Sequence, residues 1–174
     1  VAAEYIARAE EFIDQIGSKK ALFAHVAWGH MLNNVGIMWR RKGVLGSARL
    51  AHIAAITVGL QAGSREIIWK SISGQSQCAR LTGQIVLAER GFCICHFWWQ
   101  NCDSDPESST INMLNIGGVH AQSGRYESAL LFMERALEIS SDNGLRGLQI
   151  EIESQMVNLR TSVARMGALL RGEI

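Results

Sequence analysis

Apolar side chains recur along this chain at helical spacing, and polar, glycine-bearing junctions break the pattern at regular intervals. Gln15-Ile16-Gly17-Ser18-Lys19 recurs as Gln61-Ala62-Gly63-Ser64-Arg65, with a looser copy at Asp142-Asn143-Gly144-Leu145-Arg146. Each copy puts Gly just after a helical run, where a left-handed C-terminal cap favours it. The pattern predicts helices over 2–16, 19–42, 45–62, 64–82, 84–101, 107–123, 126–141 and 145–167. Asp105-Pro106 marks one start, with Asp at the cap and Pro at the first helical position.

A second echo runs inside the segments. Leu32-Asn33-Asn34-Val35-Gly36 matches Met113-Leu114-Asn115-Ile116-Gly117, and Met156-Val157-Asn158-Leu159 is a weaker copy. Gly43 and Gly124 follow the first two copies at equal distance, then Ala48 and Ala129, then Ala55 and Ala136. Ile72, Ser76, Ala79, Gly83, Ala88, Phe92 and Cys95 form a degenerate copy between them. The result is a repeat of about 40 residues, one helix pair each. Small residues let the two helices approach, and Trp39, Phe92 and Leu137 fill the gaps.

These residues resemble the tetratricopeptide repeat (TPR) family. Leu32, Val35, Gly36, Trp39 and Ala48 fit its pattern, and Met113, Ile116, Gly117, Ala129 and Met133 fit it more loosely. Gly124-Arg125-Tyr126-Glu127-Ser128-Ala129-Leu130 is the most family-like stretch, while Gln75 and Ser76 replace the expected Leu-Gly in the middle copy. The longer period looks like the extended repeats of kinesin light chains, Pins-type adaptors and maltose-activator-type regulators. The resemblance implies an all-α, right-handed superhelical α-solenoid of antiparallel helix pairs. The expected organisation is a single array over 1–174, with full repeats at 19–62, 64–101 and 107–141 and partial repeats at both ends. Because the chain begins with Val and starts and stops inside a repeat, it is read as part of a longer array.

Composition narrows the function classes. A single Pro suits a helical chain, and 48% hydrophobic with 19% charged residues is a globular balance. The formal net charge is +1, which predicts no bulk field toward nucleic acid or membrane. Cys78, Cys93, Cys95 and Cys102 are too few and too clustered for a secreted disulfide scaffold, so a cytoplasmic chain with reduced thiols is expected.

In such an array the first helix of each pair lines the concave surface, which takes an extended peptide or a partner helix. On the first full repeat that stripe is His30, Asn34, Ile37 and Arg41, flanked by Asn33 and Arg40. One repeat on it is Lys70, Ser73, Gln77, Arg80 and Leu81; then Ile111, Asn115, Gly118 and Gln122; then Ser154, Asn158, Thr161 and Arg165. Asn34, Asn115 and Asn158 recur at one place. The resemblance implies that such an Asn bonds the backbone of a bound peptide, for which its donor-and-acceptor amide is suited. Arg40, Arg41, Lys70, Arg80 and Arg165 lie on the stripe with no Asp or Glu, which points to a partner segment bearing carboxylates.

Other chemistry is weakly encoded. Cys93-Ile94-Cys95-His96 has the wrong spacing for a zinc site on one helix, and Cys95 falls at a small core position. His52 and His120 fall where the repeat packs an aromatic. Whichever of Trp98 and Trp99 points outward is expected to mark a contact surface. No nucleophile elbow, phosphate loop or zinc-protease helix is present. The expectation is a non-enzymatic protein-binding scaffold without cofactor or metal. The alternative is an effector-sensing or self-associating region of a bacterial regulator.

Overall fold

The computed structural model describes residues 18–101 and 105–172. Seven α-helices and no strand occur among them: α1 (Ser18–Arg41), α2 (Leu45–Gln61), α3 (Arg65–Leu81), α4 (Ile85–Asn101), α5 (Pro106–Gln122), α6 (Tyr126–Asp142) and α7 (Arg146–Leu170). Their ends fall within three residues of the sequence-based boundaries. The helix expected over 2–16 lies outside the described residues.

The C-terminal ends of α1, α2, α3, α5 and α6 are set by one device. Gly43, Gly63, Gly83, Gly124 and Gly144 all have φ between 62° and 76°, a left-handed region in which a Cβ would be strained. In each turn the Gly N–H reaches back three residues and the next N–H reaches back five, as in Val44 to the Trp39 carbonyl at 3.0 Å. This doubly bonded turn satisfies carbonyls that the helix end would leave bare. The N-terminal ends are different. Val44, Ser64, Arg125 and Leu145 make no side-chain cap, whereas Asp105 accepts from the N–H groups of Glu107 and Ser108. From α2 to α6 every helix is 17 residues long.

The chain divides into two compact units at Gly91 and Phe92, inside α4. In the first, α2 packs against both α1 and α3, and α1 also touches α3 directly. Its core joins Leu32, Ala54, Ala55 and Ile67, with Val26, Trp28 and Val58 against it. Ile67 is seated where a Cβ on Gly29 would come within 2.8 Å of it, so Gly29 makes the room Ile67 occupies. In the second unit α6 packs against α5 and α7, and α5 touches α7. Met113, Leu114, Met133, Ala136, Ile152 and Met156 form that core. Gly117 brings α5 onto α6 as its spacing predicted: an added Cβ would lie 3.1 Å from the Ala129 carbonyl oxygen. Both units therefore repeat one arrangement, with a second helix laid across two first helices that touch each other.

Candidate functional site: the first-helix faces

The residues predicted to line a binding face divide into three groups. In the first unit, Asn34 and Arg41 are exposed on α1, and His30, Ile37 and Arg40 are half-buried there. Lys70, Ser73, Gln77 and Arg80 are half-buried on α3, which lies beside α1. In the second unit Gln122 is exposed on α5 and Asn115 half-buried, while Asn158 and Arg165 are exposed on α7. The third group is Asn33 alone.

Asn33 is 6% exposed and turned into the first unit, away from any binding face. Its Oδ1 accepts from His52 Nδ1 at 3.0 Å and from Ser71 Oγ at 3.3 Å. One polar atom thus ties together α1, α2 and α3. Adjacent residues on a helix point about 100° apart, so Asn33 and Asn34 cannot share a face. The sequence signal for the inward role lies elsewhere. A buried His needs a polar partner, and His52 fills a space left by two glycines. A Cβ on Gly36 would lie 2.6 Å from the imidazole, and one on Gly74 would lie 2.3 Å from it. His52 does occupy a core position as expected, but its ring is bracketed by missing side chains from α1 and α3.

The electrostatics of this region are one-sided. Because Asn33 Oδ1 can only accept, His52 carries its proton on Nδ1, and its buried Nε2 is an acceptor with no partner. Burial, and then the nearby Arg40 charge, push the His52 pKa down to about 4. Burial raises the Cys78 thiol, while Arg40 and Arg49 pull it back. Burial and Arg40 depress Arg80, whose Nε donates to Gln77 Oε1 at 3.1 Å. Arg40 Nε is buried without an acceptor. Arg40 on α1, Arg49 on α2 and Arg80 on α3 therefore act on one neighbourhood. Arg40 and Arg80 sit in the last turns of their helices, where a cation suits the helix dipole.

Two sequence-based expectations need correction. The α3 stripe is not free of carboxylates in effect, since Glu66 forms an ion pair with Lys70 one turn away. And the net charge of +1 conceals a segregation. Residues 18–91 hold ten Lys and Arg against only Glu66 and Glu89, a net charge of +8. The rest of the chain is acidic in compensation.

Of the remaining candidates Cys95 and His120 are packed inward, Cys93 is exposed, and Cys102 lies outside the described residues. Cys95 is fully buried, and its thiol is pushed up to about 12 by burial. No group of three or more His, Cys, Asp or Glu among the described residues is placed to hold a metal. His120 bonds Ser128 Oγ at 2.7 Å and meets the Phe132 ring edge-on at 5.1 Å. On α4, Trp99 is buried and Trp98 half-buried, so it is Phe97, 66% exposed, that points outward. Among the described residues no helix is long and apolar enough to cross a membrane.

No protein-family model matches the chain, and no curated protein is significantly similar to it. The fold establishes the class: an all-helical protein in which consecutive helices pack on one another.

Proposed function

We propose that this is a protein-binding scaffold of the tetratricopeptide kind, a non-catalytic cytoplasmic array whose first-helix faces grip an extended segment bearing carboxylates. The supporting observation is the face of the first unit. There α1 and α3 lie side by side and carry Asn34, Ile37 and Arg41 next to Ser73, Gln77 and Arg80. That face belongs to a segment, residues 18–91, of net charge +8, and Glu66 is engaged by Lys70. Guanidinium groups with unspent donors match carboxylates in charge and in planar geometry. Asn34 supplies an amide that both donates and accepts, as a peptide backbone requires. Asn33 does not belong to this face; its role is to hold the helices that build it.

The test is affinity capture at two salt concentrations, comparing wild type with Asn34→Ala/Arg41→Ala/Gln77→Ala. All three side chains are at least partly exposed, so the variant should melt as the wild type does. The expected result is a partner held by the wild type, released by salt and not held by the variant. Equal capture by both proteins would place binding on another surface.

A further inference from the structure

The second helix of the first unit has an outward face that the scaffold function does not use. Gly46, Leu50, Ile53, Thr57 and Leu60 fall at spacings of three and four along α2 and are all exposed. Leu50 and Leu60 expose more than half of their surface. The hydroxyl of Thr57, the stripe's polar side chain, is turned back to the Ile53 carbonyl at 3.2 Å. The apolar side chains of the ridge thus run for about 15 Å along the helix, from Leu50 to Leu60. The corresponding face of α6 is the opposite in character: Glu127, Glu134, Arg135 and Glu138 are exposed there around Leu131. Solubility therefore explains the α6 face but not the α2 face.

Charge decides what can cover it. Lys42 lies in the turn before α2 and Arg65 just after the turn that follows, and both are exposed. No residue of α2 is acidic. Pairing two copies through this face would set one unit of net charge +5 (residues 1–91) against another, which disfavours a twofold dimer. A nucleic acid would satisfy the cations but offers the leucines nothing apolar. A surface that is negative at its rim and apolar just beneath satisfies both, and it needs no groove to receive an outward ridge.

We propose that the outward face of α2 docks the first unit onto an anionic lipid bilayer surface, with Leu50, Ile53 and Leu60 entering the headgroup boundary and Lys42 and Arg65 on the acidic headgroups. Since no described helix can cross a membrane, the contact is superficial and reversible. This surface is separate from the α1–α3 face, so either can operate without the other.

Co-sedimentation with vesicles tests it, using phosphatidylcholine alone and phosphatidylcholine with about 30 mol % phosphatidylserine. The wild type should bind the mixed vesicles at low salt and pure phosphatidylcholine far less. Leu50→Gln/Ile53→Gln/Leu60→Gln leaves the charge unchanged and should lose roughly tenfold or more in vesicle affinity, with its melting curve intact. Lys42→Gln/Arg65→Gln should lose roughly fivefold per charge removed. Equal binding by the wild type and the triple glutamine variant would overturn the proposal, because charge alone would then suffice. So would failure of the wild type to bind the mixed vesicles. So would a concentration-dependent mass in light scattering that the triple variant abolishes, since a second copy would then cover the ridge.

Discussion

His52 should make the first unit acid-labile well above the pH at which carboxylates titrate. The neutral ring donates to Asn33 and is enclosed by Gly36 and Gly74, with Arg40 near enough to oppose a second positive charge. Its pKa is about 4 in the folded chain, against an ordinary value of 6.5. Above that unfolded value both states are neutral, and the ring does not make stability pH-dependent. Between the two values the unfolded chain takes up a proton that the folded chain refuses, so stability falls as pH falls. Each pH unit in this window costs about 1.4 kcal/mol, so moving from pH 6.5 to 5 removes about 2 kcal/mol and the full window about 3 kcal/mol. His96, lowered by burial alone, adds to the trend with the same sign. Urea unfolding at a series of pH values measures the slope, and an NMR titration of the His52 ring assigns it without any variant. A ring that titrates near its ordinary value in the folded protein would refute the argument, and would mean that water reaches Nε2.

Glycines with the same helical backbone should respond oppositely to substitution. Gly74→Ala places a methyl group against the His52 ring and should cost about 1–3 kcal/mol or more, whereas Gly46→Ala meets nothing within 4 Å and should stabilise by up to about 1 kcal/mol. Thermal melts of the two variants check both signs. Asp105→Ala removes the acceptor for two amides at the start of α5 and should cost about 1 kcal/mol in chemical denaturation. Native thiol labelling mapped by mass spectrometry should modify exposed Cys93 well before buried Cys78 and Cys95, both raised above the ordinary thiol pKa.

Most helix boundaries were legible because five junctions carry a Gly, which a left-handed turn needs whatever surrounds it, and the start of α5 was marked by Asp105-Pro106. The small positions at Ala48, Ala55, Ala129 and Ala136 were legible too, and all four are fully buried. The candidate face was only partly so. Asn33 and Asn34 are identical in type, and only the helical phase relative to the core separates the inward residue from the outward one. Asn33 is inward because His52 needs an acceptor from α1, a demand that joins positions 19 residues apart and leaves no periodic trace. Lys70 looked unpaired because Glu66 lies one turn earlier, outside the stripe as drawn. The segregation of charge was present in the sequence but cancelled in the whole-chain sum. The outward residue among Phe97, Trp98 and Trp99 could not be chosen from type, since three large aromatics in a row satisfy any phase.

The even spacing of the glycine turns carries a mechanical consequence. Five helices of equal length, α2 to α6, and five turns bonded in the same way would let this chain yield to pulling in similar steps. Unravelling one helix pair would free about 40 residues, or roughly 140 Å of contour, in near-equal increments.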